Sequence, residues 1–139
     1  VGEDGSVTLQ FVGKKGVALT LPVEDPGTAA MIKERAKSAG PSGRLFPGIS
    51  QKSLLSYSGS LDGGKFTPKD FRTHLGTKLA QQQVTGEPPK TKKEYVKRVK
   101  AIAKTVAAKL GNTPAVALSS YISPVVFSGW LAQVEEHRW

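Results

Sequence analysis

Hydrophobic spacing changes once along the chain, and that change divides it. In residues 6–23, SVTLQFVGKKGVALTLPV, apolar positions alternate with others: Val7, Leu9 and Phe11 around Thr8 and Gln10, then Val17, Leu19 and Leu21 around Ala18 and Thr20. A period of two marks half-buried strands. The glycine-flanked tip Gly13-Lys14-Lys15-Gly16 joins them as a hairpin loop. Beyond it the spacing becomes three and four. The turn at 25–28, DPGT, launches a helix that places Ala29, Ile32 and Ala36 on one side and stops at Gly40. Residues 41–48, PSGRLFPG, read as loop. A short helix is expected near 50–57, before the Gly- and Ser-rich SGSLDGG.

Residues 66–84, FTPKDFRTHLGTKLAQQQV, carry a strong helix start. Thr67 can cap, Pro68 takes the first helical position, and Asp70 sits near the positive end of the helix dipole. Phe66 and Phe71 have the spacing of a hydrophobic staple. Phe71, Leu75 and Leu79 are expected to form a buried stripe. After the Pro-containing linker TGEPPKTKK (85–93), a long helix over about 91–110 aligns Tyr95, Val99, Ile102, Val106 and Leu110, and Gly111 ends it. Thr113-Pro114 opens a short helix, and Ser123-Pro124 a last one ending near Trp139. There is no internal repeat. The predicted class is α+β, mostly α-helical: an N-terminal β-hairpin followed by a helical bundle.

A chain of 139 residues with 38% hydrophobic and 22% charged positions can bury the core of one domain. No run approaches the roughly 18 apolar residues of a membrane span, and the acidic N-terminus VGEDGSVTLQF lacks the layout of a signal peptide. With no cysteine, disulfides, thiol catalysis and zinc–thiolate sites are excluded. The two histidines, His74 and His137, are too far apart in the chain to suggest a metal site. The net charge of +9 is concentrated. Residues 90–109 hold seven Lys and one Arg against one Glu, a net of +7, while the rest has 12 basic and 10 acidic residues. Such a surface suits a polyanion; it is also what a solvated, lysine-rich helix face looks like.

Four residues could carry chemistry: Lys14 at the hairpin tip, Arg72 early in a capped helix, Asn112 just past a helix end, and Tyr121 among small residues. Each has a plain reading on its own. A tip lysine aids solubility, an arginine edges a helix, an Asn follows a terminal Gly for backbone reasons, and a tyrosine packs.

Taken in order, FVGKK (11–15), KDFRTHLGT (69–77) and LGNTPAVALSSYISP (110–124) form a pattern, with a tyrosine nine residues after the Asn. In this the chain resembles the type IB DNA topoisomerases in their compact bacterial and poxvirus-like form, over nearly its whole length. The resemblance implies that Tyr121 is the nucleophile that forms a 3′-phosphotyrosyl bond. Lys14 would be the general acid that protonates the departing 5′ oxygen. Arg72 would be the second of two arginines on the nonbridging phosphate oxygens, and Asn112, where poxvirus enzymes have His, a further donor to them. It implies relaxation of supercoiled duplex DNA with neither ATP nor metal, no cofactor, no membrane partner, and a monomer. Lys15, Lys69, Lys97, Lys100 and Lys104 are the DNA-contact candidates. Localisation would be cytoplasmic and nucleoid-associated for a bacterial source, and in a virion or host compartment otherwise.

The roles suit the residue types. Phosphodiester exchange spreads negative charge over equatorial oxygens, so fixed cations and donors lower the barrier. Arginine's planar fork can hold two of those oxygens. Lysine has a proton to give, and a second cation beside it, Lys15, favours giving it. A tyrosyl phosphodiester conserves the cleaved bond for religation.

The chain also departs from the pattern. Its arginines, Arg35, Arg44, Arg72, Arg98 and Arg138, all follow the hairpin, and none fits the family's earlier catalytic arginine. Nor is there a counterpart of the N-terminal DNA clamp. Residues 1–139 are therefore expected to be the C-terminal part of a catalytic domain, hairpin 6–23 and helical 26–139, impaired when alone. Ser123 stands where bacterial relatives often carry His. Two alternatives remain open at this point. A tyrosine recombinase shares the nucleophile, the hairpin lysine and the later arginine, but usually has His where this chain has Lys69. A non-enzymatic basic module would coat DNA without bonding to it.

Overall fold

The computed structural model describes residues 1–13 and 16–136. It is mostly helical, with an N-terminal two-stranded antiparallel hairpin followed by helices, the order expected. The chain divides into two compact units, Val1–Leu54 and Leu55–Trp139.

In the first unit, β1 (Thr8–Val12) pairs with β2 (Ala18–Pro22), with Leu9 opposite Leu21 and Phe11 opposite Leu19. This register puts all four apolar side chains on one face, as the alternation requires. The Gly13 N–H donates to the Val17 carbonyl at 2.8 Å and closes the loop side. The tip residues Lys14 and Lys15 lie outside the described residues. The expectation of two half-buried strands needs correction: β1 is exposed along its length, and only Leu19 and Leu21 of β2 are half-buried. A two-stranded ribbon gives each strand a single neighbour, so its own pairs shield little area.

The helix α1 (Pro26–Ala39) starts where the sequence predicts. The Asp25 carboxylate accepts from the Thr28 N–H and the Thr28 hydroxyl, both at 2.8 Å. Those two bonds hold the Asp25 carboxyl below its ordinary range. The cap's contribution is thus present above that range and lost as pH falls through the lowered value. Ile32 is buried, with Ala29 and Ala36 half-buried beside it. Arg35 lies over the Phe46 ring at 5.1 Å, which draws the 41–48 loop toward α1. The short helix α2 spans Gln51–Ser60, and the division between units falls within it.

The second unit is built on α3 (Pro68–Gln83) and α4 (Lys92–Leu110). At the start of α3 the Asp70 carboxylate reaches back to accept from the Thr67 N–H at 2.7 Å and the Thr67 hydroxyl at 3.1 Å. The predicted face of α4 is buried: Val99, Ile102, Val106 and Leu110, with Ala103 and Ala107, and Tyr95 packed against them. Gly111 then turns the chain with φ 70°, ψ 39°, and the Asn112 N–H donates to the Ala107 carbonyl at 3.1 Å. Lys93, Lys97, Lys100 and Lys104 recur at helical spacing on the opposite face, all exposed.

The face of α3 is a second correction. Phe71 and Leu75 are 54% and 45% exposed, while Gly76 and Ala80 are buried and Leu79 is only partly covered. The helix is turned so that the row Arg72–Gly76–Ala80, four apart, meets the rest of the unit. Small side chains win this face because the neighbouring backbone comes too close for large ones. Phe66, the other half of the expected staple, is 42% exposed and its ring lies against Gly64.

After α4 come α5 (Pro114–Val116), capped by Thr113, a π-type turn (Ala117–Tyr121), a 3₁₀ turn (Pro124–Phe127) and α6 (Ser128–Glu136). Ala117, Ile122, Phe127 and Trp130 join the α4 core. Arg98 fastens the linker before α4. Its two terminal nitrogens donate to the carbonyls of Glu87 (2.6 Å) and Thr85 (3.1 Å), and its guanidinium lies 4.2 Å from the Trp130 ring centroid. Arg98→Lys keeps the charge but loses the fork and the stacking. It is expected to lower stability by about 1–2 kcal/mol in urea unfolding.

Candidate active site

Tyr121 ends the π-type turn, and the geometry of that turn decides where the ring can be. The Ile122 N–H reaches back five residues to the Ala117 carbonyl at 3.0 Å, instead of four. Single π turns of this kind are rare in helices and recur at functional sites. Ile122 then leaves in extended conformation with its side chain buried, which anchors the turn in the core. Tyr121 itself stays half-buried.

Two cations from the first turns of α3 lie over the phenol ring. The Arg72 guanidinium carbon is 4.7 Å from its centroid and the Lys69 ammonium 5.9 Å. Each such contact contributes on the order of 0.5–1 kcal/mol at an accessible site. Arg72 is also tethered: one terminal nitrogen donates to the Leu110 carbonyl at 2.7 Å, at the C-terminal end of α4. That end carries the negative pole of the helix dipole, which favours the guanidinium there. A guanidinium has five N–H donors, and this bond uses one. The side chain is exposed, so further donors can meet an anion from solvent.

Asn112 follows Gly111, two residues beyond the carbonyl that holds Arg72. Its side-chain nitrogen and oxygen are both shielded from solvent and have no hydrogen-bond partner among the described residues. An unsatisfied buried polar group costs about 1–3 kcal/mol, so the amide stands here at a cost in stability. Of the residues singled out from the sequence, the structure thus gathers Tyr121, Arg72 and Lys69. Asn112 sits next in the chain to the end of α4 that Arg72 grips. Lys97, Lys100 and Lys104 occupy the outer face of α4, and Lys14 and Lys15 are outside the described residues. His74 is exposed on α3.

This gathering rests on the same segments that carry the sequence resemblance, and a family model described as eukaryotic DNA topoisomerase I, catalytic core, matches residues 1–127. The chain belongs to that family. Its function is accordingly that of a DNA topoisomerase, an isomerase whose partner is DNA. No curated protein matches the chain significantly.

In this topoisomerase I core, two residues matter that the hydrophobic pattern did not single out. A Cβ added at Gly76 would lie 2.6 Å from the Tyr121 carbonyl oxygen and 3.3 Å from Leu110 Cδ1. Glycine is what lets α3 approach the tyrosine turn. Next to it, the Thr77 hydroxyl lies between Tyr121 and Ser123. A glycine inside an otherwise well-formed helix pattern is the signal that could have located this contact.

Gly76→Ala tests the approach. Alanine improves helix propensity by about 1 kcal/mol, but overpacking against a backbone oxygen costs about 1–3 kcal/mol. Because backbone cannot rotate aside as a side chain can, the overlap is expected to win. The variant should unfold at lower urea concentration than the parent.

Proposed function

We propose that the chain supplies the tyrosine nucleophile of a type IB topoisomerase, in the compact bacterial and poxvirus-like form. It cleaves one strand of duplex DNA, holds the break as a 3′-phosphotyrosyl bond, and reseals it, so that supercoils relax without ATP or metal. The observation that carries this reading is the phenol of Tyr121 beneath a tethered guanidinium and a second cation.

In the forward step the Tyr121 oxygen bonds to phosphorus as the phosphorus–O5′ bond breaks. The phenolic proton goes to solvent, and Lys14 delivers a proton to the leaving 5′ oxygen. Arg72 supports the nonbridging oxygens while charge spreads over them. Asn112, whose amide has no partner among the described residues, contributes a neutral donor. In the reverse step the 5′ hydroxyl attacks phosphorus, Lys14 takes back its proton, and the phenolate leaves. On this reading residues 1–139 are the C-terminal part of a catalytic domain whose other arginine lies elsewhere in the protein, and alone they cleave slowly. Lys15, Lys69, Lys97, Lys100 and Lys104 meet the DNA backbone.

Incubation with nicked duplex DNA that releases the fragment beyond the cut is expected to trap a covalent protein–DNA species. Tyr121→Phe should abolish it, whereas an adduct surviving in that variant would rule Tyr121 out. The basic helix is tested separately. Neutralising Lys97, Lys100 and Lys104 together should flatten the slope of log affinity against log salt by about 2–3, from roughly 0.9 per phosphate neutralised. An unchanged slope would mean that these side chains do not reach DNA.

A further inference from the structure

Threonines inside helices commonly turn their hydroxyl back to the carbonyl four residues earlier. Thr73 does so toward Lys69 at 3.1 Å, and Thr105 toward Ala101 at 3.2 Å. Thr77 does not follow them. Its hydroxyl leaves α3, accepts from the Ser123 N–H at 3.1 Å, and donates to the Tyr121 carbonyl at 3.4 Å. One oxygen thereby joins the peptide groups on both sides of Ile122. The adjoining glycine, Gly76, has no side chain to hold the turn away.

We propose that Thr77 is a positioning residue for the tyrosine: its hydroxyl, bridging Tyr121 and Ser123, fixes the backbone from which the phenol projects. This rests on the reading of Tyr121 as nucleophile. The π-type bond from Ile122 to Ala117 sets the turn from its amino side, and buried Ile122 sets its depth. Neither fixes rotation about the bonds that aim residue 121 at α3. The Thr77 bridge does, and it does so from the helix that also carries Arg72, one and a half turns earlier. Nucleophile and guanidinium are therefore referred to one rigid element, which is what a reaction sensitive to about 1 Å of misplacement needs.

The test is single-turnover cleavage of nicked duplex by the full chain at saturating DNA. Thr77→Val is close to isosteric and removes both bonds. It should slow cleavage about tenfold or more, with DNA affinity within about twofold of the parent. Thr77→Ala, smaller and equally apolar, should behave alike and stands in for valine if that variant does not fold. Thr77→Ser, which restores the hydroxyl, should cleave within about threefold of the parent. Arg98→Lys loosens the same unit without touching the bridge and should leave the rate unchanged. Parental cleavage by the apolar variants would overturn the proposal. So would a serine variant as slow as valine, or an Arg98→Lys variant slowed as much. Tyr121→Phe separates this from the underlying reading. If its adduct persists, the nucleophile is misassigned; if its adduct is lost while Thr77→Val cleaves normally, only the bridge falls.

Discussion

At Gly76 the backbone of α3 comes so near the Tyr121 carbonyl that no side chain fits between them, and much of the second unit follows from that approach. It turns the small-residue row of α3 inward and leaves Phe71 and Leu75 outward. It lets the Thr77 hydroxyl reach across to two peptide groups, and it puts Arg72, four residues earlier, against the phenol ring. A larger residue at this point would separate the helix from the turn, and each of these contacts would lengthen together. Interiors are packed too densely for one of them to adjust alone.

Arg72 links three parts of the unit that are distant in sequence. It begins on α3, bonds to the last carbonyl of α4, and covers a ring on the turn beyond α5. A guanidinium held by a fixed acceptor loses less freedom when it meets a second anion than one that must first be ordered. The Leu110 bond can thus be understood as preparation of the site as well as structure. The same end of α4 is shaped by Gly111, whose left-handed conformation turns the chain and leads directly to Asn112. A helix terminus here supplies an acceptor for the cation and, two residues later, the buried amide of Asn112.

How much of this was legible in the sequence depended on whether side chains or backbone decide the packing. The face of α4 was legible because large apolar residues recur at helical spacing between a clear cap at Thr91 and a clear stop at Gly111. The starts of α1 and α3 were legible for the same local reason. On α3 the large residues misled, since the deciding contact is a peptide carbonyl and the residue that admits it has no side chain. The hairpin register could be read from alternation, but not the exposure of β1, which depends on what covers a ribbon. Tyr121, Arg72 and Asn112 could be picked out by motif spacing. The π-type turn could not, because Ala117–Tyr121 has no composition that separates it from an ordinary helical turn.

The two kinds of cation on this chain differ physically, and that difference bears on the proposed mechanism. Lys97, Lys100 and Lys104 stand on the face of α4 opposite its buried residues, over a rise of about 10 Å at 1.5 Å per residue. That is about three phosphate spacings along one strand, at 3.4 Å each. Long, solvated side chains of this kind attract a backbone without regard to sequence and fix nothing to within an ångström. Arg72 is the reverse, a single charge whose place is set by a carbonyl and a ring. Stabilising a transition state requires the second kind, because only a donor already in place avoids reorganisation as charge develops. Replacing Arg72 with Lys would keep the charge near the phenol while giving up the fork, so such a chain should retain most of its DNA affinity and lose cleavage rate. On the proposed mechanism the basic helix would bring the polyanion to the surface, and the held guanidinium would distinguish the one phosphate that reacts.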